Sequence, residues 1–210
     1  MGNEITVYTS LVGGIDKLND QQNTAGAHFV AFTDQESETW DVRPPYGNFK
    51  DPRRNSRIQK IMPHKYIDSE YSIYLDANIE LLVPPQRLVD EFLKDKDIAV
   101  FKHEYRDDVY QERDACIVRG KDEAGILFEQ TTEYAKRGVK DHSGLSECAV
   151  IIRRHTPRIN ELNEQWWAEY CRFSCRDQMS FPIVFPIEEI YQITPCGSWN
   201  HPYFKVIHHL

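Results

Sequence analysis

Residues 71–78 read YSIYLDAN, and this stretch decides the fold class. Residues 71–75 are almost continuously apolar, which predicts a short strand buried on both faces, as in a sheet covered by helices on either side. The strand ends at Asp76, and Asn78 follows two residues later. Because positions i and i+2 of an extended chain point to the same face, these two oxygen-bearing side chains are predicted to converge.

The rest of the chain alternates between strand-like and helix-like segments. Further strands are predicted at residues 5–10, 28–33, 98–101 and 148–152. Apolar residues with helical spacing follow Pro84-Pro85, cover residues 124–135 and recur over residues 159–173. Residues 41–56 are rich in Pro, Gly, Asn and Arg, which predicts a loop. The alternation predicts an α/β fold, and the lack of repeats or flexible linkers in the sequence favours one domain.

The charge of the chain is unevenly distributed. The 210 residues include 33 acidic and 25 basic ones, for a net charge of −8, which argues against a general nucleic-acid binder. Residues 50–65 nevertheless hold six Lys or Arg residues against one acid, Asp51, so this segment is +5 and the remainder −13. Such a segment just before Asp76 suits a small phosphate-bearing ligand, although a solvated basic loop is an equal alternative.

Cysteine usage and hydropathy bear on the compartment. The chain has no apolar run near the ~20 residues that a transmembrane helix needs, and no secretory signal pattern at its N-terminus. Its five cysteines are odd in number and contain no C-x-x-C pair, which argues against a disulfide framework and a structural zinc site. A reducing, cytoplasmic compartment is therefore expected, with no membrane anchor.

Polar side chains are predicted at the ends of three strands. These are Thr9 and Ser10, Asp34, and Asp76. In open α/β sheets ligands bind beyond the carboxyl ends of the strands, so these residues are candidates for binding a ribose, a base or a metal. A turn-forming role is the alternative for any one Asp. Asp76 and Asn78 together offer oxygen ligands for Mg²⁺ or Mn²⁺, with substrate phosphates filling the other positions.

The second half of the chain carries further candidates. Glu147 precedes the strand at 148–152, and Asp177 follows a helix that carries Trp166 and Trp167. An aromatic side chain facing a groove can stack on a sugar, and an acid beside it can act as a general base. The alternatives are two half-buried tryptophans and a helix N-cap at Asp177. Among the late histidines, His208 either closes a metal or diphosphate site or belongs to a solvated tail.

Several motifs, in order, resemble one family, the TOD/MUCI-type glycosyltransferase-like domain of GT-A type nucleotide-sugar glycosyltransferases. The matching blocks run from about residue 54 to 181 and are Arg57-x-x-Lys60-x-x-Pro63-His64, residues 72–77 (SIYLDA), Lys102-His103-x-x-Arg106-x-Asp108-Val109-Tyr110-x-Glu112, Glu147-x-x-Val150-Ile151-Ile152-Arg153-x-His155, Trp166-Trp167-x-Glu169 and Ser174-x-Arg176-Asp177-Gln178-x-Ser180-Phe181. The chain is also similar to the N-terminal glycosyltransferase domain of large algal-virus (chlorovirus) proteins. That similarity implies a viral protein acting in the host cytoplasm.

The resemblance implies a GT-A fold, with a Rossmann-like mixed central sheet flanked by helices, in a single domain over residues 1–210. Residues 1–100 would form the nucleotide-binding half and residues 101–210 the acceptor-binding half. The implied activity is transfer of a hexosyl or deoxyhexosyl group from a UDP-sugar to a hydroxyl of a glycan or glycoprotein, assisted by Mn²⁺ or Mg²⁺.

The resemblance also assigns roles to individual residues. The donor site comprises Thr9, Ser10, Asp34 at the uridine, Arg57 and Lys60 at the diphosphate, and Asp76, Ala77 and Asn78. The metal ligands are Asp76, Asn78 and His208. Asn78 stands where the family's Asp-x-Asp element has its second acid, and an amide is a weaker, neutral oxygen ligand. The acceptor site comprises Trp166, Trp167, His103 and Arg176. Asp177 is the expected catalytic base, with Glu147 as second candidate.

Two other functions are considered. A nucleotidyltransferase would need a basic, Gly-rich phosphate loop after the first strand, and residues 11–14 (LVGG) contain no basic residue. A non-catalytic module that binds sugar nucleotides or glycans is favoured by the missing second acid at Asn78.

Overall fold

The computed structural model describes residues 5–14, 16–22 and 24–207. The strands are β1 (Ile5–Leu11), β2 (His28–Thr33), β3 (Asp41–Arg43), β4 (Tyr71–Leu75), β5 (Ile79–Leu81), β6 (Ile98–Lys102), β7 (Ser146–Arg154), β8 (Tyr191–Ile193) and β9 (Phe204–Val206). The α-helices are α1 (Pro52–Ile61), α2 (Pro85–Phe92), α3 (Val109–Val118), α4 (Ala124–Lys136), α5 (Pro157–Arg172) and α6 (Asp177–Val184). Short 3₁₀ helices cover Pro63–Lys65, Ile187–Glu189 and Ser198–Asn200.

A mixed seven-stranded sheet forms the centre of the molecule. Its strand order is β3-β2-β1-β4-β7-β6-β8, with β1 to β4 parallel and β7 antiparallel to both of its neighbours. β5 and β9 pair separately as a two-stranded antiparallel sheet. The predicted α/β class, with a mixed central sheet flanked by helices, is confirmed.

Alternate residues of the central strands pack on opposite faces of the sheet. Val7 and Ile73 belong to one apolar cluster, which is closed by α2 through residues such as Leu88. Their chain neighbours Tyr8 and Tyr74 belong to the cluster on the other face, which α1, α5 and α6 cover. This alternation follows from the period of two in extended chain. Both faces are therefore buried, which explains the nearly continuous apolar run of β4.

The loop predicted for residues 41–56 is wrong in part. β3 occupies Asp41–Arg43, and α1 begins at Pro52. Asp51 caps this helix because its side chain accepts a hydrogen bond from the backbone N–H of Arg53, and proline suits the first helical turn. The half of the basic segment that carries Arg57 and Lys60 is thus a helix packed on the sheet.

The strand ends that can form a ligand site lie at one edge of the sheet. β1, β2 and β4 are parallel, so their carboxyl ends lie on the same edge. β7 runs the other way beside β4, so its beginning, at Ser146 and Glu147, reaches that edge as well. No helix in the described ranges is long and apolar enough to cross a membrane.

Candidate active site

A cavity of about 350 Å³ opens where β4 ends and β7 begins. Charged side chains dominate its lining. The cations are Arg57, Lys60, Arg106, Arg119, Lys121 and Arg176, and the acids are Asp76, Glu104, Glu112, Glu147 and Asp177. The other lining residues are His103, Tyr105, Ala115, Cys116, Cys148, Ala149, Gln178 and Trp199. A cavity with six cations and five acids suits a polar, anionic ligand better than an apolar one.

Lys60 and Asp177 form a buried ion pair at the cavity. Lys60 Nζ lies 2.6 Å from Asp177 Oδ2, and the two side chains are only 2% and 6% exposed. Arg57 Nε approaches the same oxygen at 3.4 Å. α1 supplies both cations, and Asp177 is the first residue of α6, where a carboxylate is favoured by the helix dipole.

The cations around Asp177 set its protonation. Burial alone would raise its pKa, but Lys60, Arg57 and Arg176 together hold the pKa of Asp177 well below its usual range. Burial alone would lower the pKa of Arg57, but the attractions of Asp177, Tyr74 and Asp76 together raise it. Asp177 is therefore a firmly ionised carboxylate, and such a carboxylate accepts a proton poorly.

Asp76 follows β4 and faces the same cavity. Its Oδ1 accepts a hydrogen bond of 2.9 Å from the Tyr74 hydroxyl and lies 3.5 Å from Lys60 Nζ. The Lys60 ammonium also lies 4.5 Å from the centre of the Tyr74 ring, which adds a cation–π contact. The side chain of Asp76 is 32% exposed, so one face of its carboxylate remains open to a ligand.

Glu147 is the second predicted acid, and its surroundings differ from those of Asp177. The Ser198 hydroxyl donates a hydrogen bond to Glu147 Oε1, and Gly197 packs against the other oxygen. Burial raises the pKa of Glu147 above its ordinary value, and the nearby Asp76 and Glu104 charges add to that effect. A carboxylate with a raised pKa and an opening to a cavity has the properties of a general base.

Some hydrogen-bond donors at the cavity have no partner in the described part of the chain. Arg176 Nε and Gln178 Nε2 are buried and make no hydrogen bond to any described residue. Buried donors are normally satisfied, so their free N–H groups indicate where a ligand's oxygen atoms fit. Both residues line the same cavity as the Lys60–Asp177 pair, and the charge of Arg176 acts on Asp177.

The structure brings together seven of the side chains that the sequence singled out. Arg57, Lys60, Asp76, His103, Glu147, Arg176 and Asp177 all line this cavity. His103 shapes its own loop, because its Nδ1 accepts hydrogen bonds from the backbone N–H groups of Tyr105 and Arg106. Burial and the Arg106 charge lower the pKa of His103, so it is neutral near pH 7.

Other predicted donor-site residues lie apart from the cavity. Thr9 and Ser10 are buried in β1, where Ser10 donates a hydrogen bond to Gln59, so the prediction that they touch the nucleotide is not supported by their positions. Asp34 is exposed just beyond β2. Ala77 and Asn78 lie in the turn between β4 and β5, and their backbone carbonyls accept hydrogen bonds from Asn19 and Ile207.

The predicted tryptophan platform is wrong for Trp166. This side chain is fully buried, and its indole N–H contacts the Asp177 carbonyl and the Ser180 hydroxyl. Trp166 therefore anchors the start of α6 and has no surface for an acceptor. Trp167 stacks on Tyr170 at a ring separation of 5.4 Å and does not line the cavity.

Sequence reasoning missed the aromatic residues that do line the cavity. Trp199 and Tyr105 are exposed by 45% and 76%. Neither lies in a strand or an amphipathic helix, so no periodic signal marks them. It also missed Arg119 and Lys121, which lie outside the basic segment. Within that segment only Arg57 and Lys60 face the cavity, whereas Arg53 pairs with Asp51, Arg54 binds backbone carbonyls, and Lys65 pairs with Glu164.

The three predicted metal ligands differ in their positions relative to the cavity. Asp76 offers an open carboxylate at the cavity, Asn78 is not among the lining residues, and His208 lies outside the described residues. In the described part of the chain, Asp107, Asp108 and His142 also lie within metal-binding reach of one another. Asp108 there caps α3 by accepting a hydrogen bond from the backbone N–H of Gln111.

Comparison with known proteins identifies a family and two relatives that the chain resembles. Residues 42–206 match the family described as TOD1/MUCI70, glycosyltransferase-like domain. The chain is 34% identical over 147 residues to a probable hexosyltransferase, MUCI70, of Arabidopsis thaliana, covering 65% of this chain and 25% of that protein. It is 29% identical over 149 residues to the alkaline ceramidase TOD1 of the same plant, covering 65% of this chain and 32% of that protein. The chain thus spans about a quarter to a third of the length of these relatives.

A solved structure supports the fold. The apo structure of the bifunctional glycosyltransferase WbbM superposes with a TM-score of 0.53 at 11% identity, covering 92% of this chain and 39% of that one. The predicted GT-A fold is confirmed. Because the family match covers most of the sequence, the chain belongs to the TOD1/MUCI70 glycosyltransferase-like domain family.

Proposed function

We propose that this chain transfers a sugar from a UDP-sugar to a hydroxyl group of a glycan or glycoprotein. The observation that carries the proposal is the convergence of Arg57, Lys60 and Arg176 on one polar cavity at the carboxyl edge of the sheet. Fixed cations there stabilise the negative charge that builds on a leaving diphosphate, in a site that needs no reorganisation during the reaction. The two unpartnered N–H groups of Arg176 and Gln178 can donate hydrogen bonds to phosphate or sugar oxygens.

The reaction breaks the bond between the anomeric carbon and the β-phosphate oxygen, and UDP leaves. The acceptor oxygen forms the new bond to that carbon, and its proton passes to a base. Of the two predicted acids, the charges around them favour Glu147, whose pKa burial raises. Asp177 instead holds Lys60 and Arg57 in place. Glu147 as base implies inversion at the anomeric carbon, so a product with retained configuration would exclude this role.

The open carboxylate of Asp76 fits a divalent cation. Asp76 would hold Mn²⁺ or Mg²⁺, and Glu147 lies close enough for its charge to interact with that of Asp76. A bound cation would supply further neutralisation of the diphosphate. Lys60 competes for the same carboxylate at 3.5 Å, so we expect the metal to strengthen binding without being indispensable.

The two halves of one domain would divide the substrates. Residues 1–100 supply Arg57, Lys60 and Asp76 to the donor, while residues 101–210 supply Glu147 and the exposed Trp199 to the acceptor. We also propose a reducing compartment such as a cytoplasm, that of the host if the protein is viral, because all five cysteines are free thiols. The alternative of a non-catalytic sugar-nucleotide module shares the same cavity and differs only in lacking turnover.

Binding and turnover measurements with the purified chain test the proposal. Calorimetry should detect UDP and UDP-sugars, with weaker binding of uridine, and thermal unfolding should shift upward with bound donor. Hydrolysis of the donor with Mn²⁺ should be detectable and should fall in Asp177→Asn. Lys65→Met, which removes an exposed lysine of the same segment, is the matched control. Absence of any UDP-sugar binding would overturn the donor assignment, and binding without hydrolysis or transfer would leave the non-catalytic module.

The relative named as a ceramidase defines a second assay. Amide hydrolysis of a ceramide needs room for long apolar chains, and the cavity lining is mostly charged. We therefore expect no release of fatty acid from ceramide. Release that disappears in Glu147→Gln would replace the glycosyltransferase proposal.

A further inference from the structure

Arg153 is the one fully buried arginine in the described residues, and it lies behind the cavity. Its Nη1 donates hydrogen bonds to the Tyr8 hydroxyl at 3.0 Å and to the backbone carbonyl of Lys60 at 3.3 Å. Its Nε and Nη2 have no hydrogen-bond partner among the residues that the structure describes. Burial lowers the pKa of Arg153, and the groups that favour its charge most are phenols and a thiol, at Tyr8, Tyr74 and Cys148.

A buried guanidinium of this kind is costly, because the desolvation of its charge is only partly offset. Both of its hydrogen bonds lead to the backbone carbonyl of Lys60, one directly and one through the Tyr8 hydroxyl. Tyr8 donates to the same Lys60 carbonyl at 2.9 Å, so Arg153 and Tyr8 converge on one oxygen atom near the end of α1. That carbonyl belongs to the residue whose ammonium pairs with Asp177.

Arg153 also contacts the other side of the ion pair. Its guanidinium lies 5.8 Å from the centre of the Trp166 ring. The indole N–H of Trp166 in turn donates to the backbone carbonyl of Asp177 at 3.2 Å. Through one direct bond and one ring contact, a single buried side chain therefore touches the supports of both Lys60 and Asp177.

We propose that Arg153 is a positioning residue that fixes the Lys60–Asp177 pair for the bound diphosphate. Arg153 does not line the cavity, so it acts through Lys60 and not on the ligand directly. This role rests on the proposed function only for the identity of the ligand, because the contacts that Arg153 makes with Tyr8 and Lys60 do not depend on which ligand binds.

A double-mutant cycle in the full chain tests the coupling. Arg153→Met should weaken UDP binding about tenfold, and Lys60→Met should weaken it at least as much. The double variant should be no weaker than Lys60→Met alone, a coupling of about 1.4 kcal/mol, because Arg153 acts through Lys60. Effects that multiply independently would show that Arg153 stabilises the fold without positioning Lys60, and would overturn the proposal.

Arg154→Met is the matched control. Arg154 is the next residue of β7, but it pairs with Asp97 and is 36% exposed. We expect it to leave the dissociation constant for UDP unchanged. If Arg153→Met does not fold, Arg153→Lys replaces it in the same cycle. We expect Arg153→Lys to weaken UDP binding about threefold in the wild-type background and to have no further effect in the Lys60→Met background.

A ligand-free crystal structure of the Arg153 variant tests the positioning role independently of the proposed function. In Arg153→Met, or in the Lys variant, we expect Lys60 to lose its contact with Asp177. An unmoved Lys60 would overturn the positioning role even if the enzyme proves to be a glycosyltransferase. Wild-type protein that binds no UDP would overturn the proposed function, while a displaced Lys60 would still support the role of Arg153.

Discussion

Lys60 Nζ lies 2.6 Å from Asp177 Oδ2, with both side chains almost fully removed from solvent. The same separation joins Lys65 Nζ to Glu164 Oε1, but there the two side chains are 53% and 54% exposed. These two lysine–carboxylate pairs are thus equal in length but lie in opposite environments. The comparison separates the effect of burial from the effect of contact.

Breaking the buried pair should cost far more stability than breaking the exposed one. Asp177→Asn leaves a buried ammonium without its carboxylate, for which a loss of about 3 kcal/mol in the free energy of unfolding is expected. Glu164→Gln should cost less than about 1 kcal/mol, since exposed pairs are screened by solvent. Urea unfolding of both variants measures the difference, and equal losses would show that burial does not decide the strength of the Lys60–Asp177 pair.

The low pKa of Asp177 makes this stability depend on pH. The folded state holds the pKa of Asp177 below its unfolded value of about 3.9, so the unfolded chain takes up a proton first as pH falls. The stability difference between wild type and Asp177→Asn should therefore be constant near neutral pH and shrink below about pH 4. Unfolding measured between pH 7 and pH 3 checks this. A difference that stays constant over that range would mean that the folded and unfolded pKa values coincide.

Most of the fold could be predicted from local sequence patterns. The site could not, because it depends on contacts between residues that are far apart in the sequence. The strand at Tyr71–Leu75 was predictable because an apolar run ending in an acid needs no tertiary information. The pairing of Lys60 with Asp177 was not, since it depends on how α6 docks beside α1. Trp166 shows the same limit, because its sequence neighbourhood does not say which of two adjacent tryptophans enters the core.

Glu147→Gln should abolish turnover and spare donor binding. Loss of a general base typically lowers the rate 10²- to 10⁴-fold, so at least a hundredfold fall in kcat is expected, with the dissociation constant for UDP unchanged. In the wild type, kcat/KM should rise with pH through a pKa above the ordinary glutamate value, because burial raises the pKa of Glu147. Glu104→Gln, an exposed acid of the same cavity, is the control. A similar loss in both variants would argue against a specific base.

Trp199 should contribute to acceptor affinity, and Trp167 should not. Trp199 lines the cavity and is 45% exposed, which suits stacking on a sugar ring. An aromatic contact of about 0.5–1.5 kcal/mol predicts that Trp199→Ala raises the KM for the acceptor about two- to tenfold. The KM for the donor should not change, and Trp167→Ala should leave both constants unaltered. A donor-specific effect of Trp199→Ala would place this side chain at the sugar nucleotide instead.

Gly197→Ala tests the position of Glu147 without changing its chemistry. A Cβ at Gly197 would lie 2.6 Å from Glu147 Oε2, too close for any real contact, so the carboxylate must move. Misplacement of a reacting group by about 1 Å can lower a rate by about 10², so a fall in kcat of tenfold or more is expected. Gly47→Ala, where an added Cβ meets nothing within 4 Å, should keep full activity. Full activity in Gly197→Ala, with the protein folded, would show that the reaction does not depend on the Glu147 carboxylate as the structure places it.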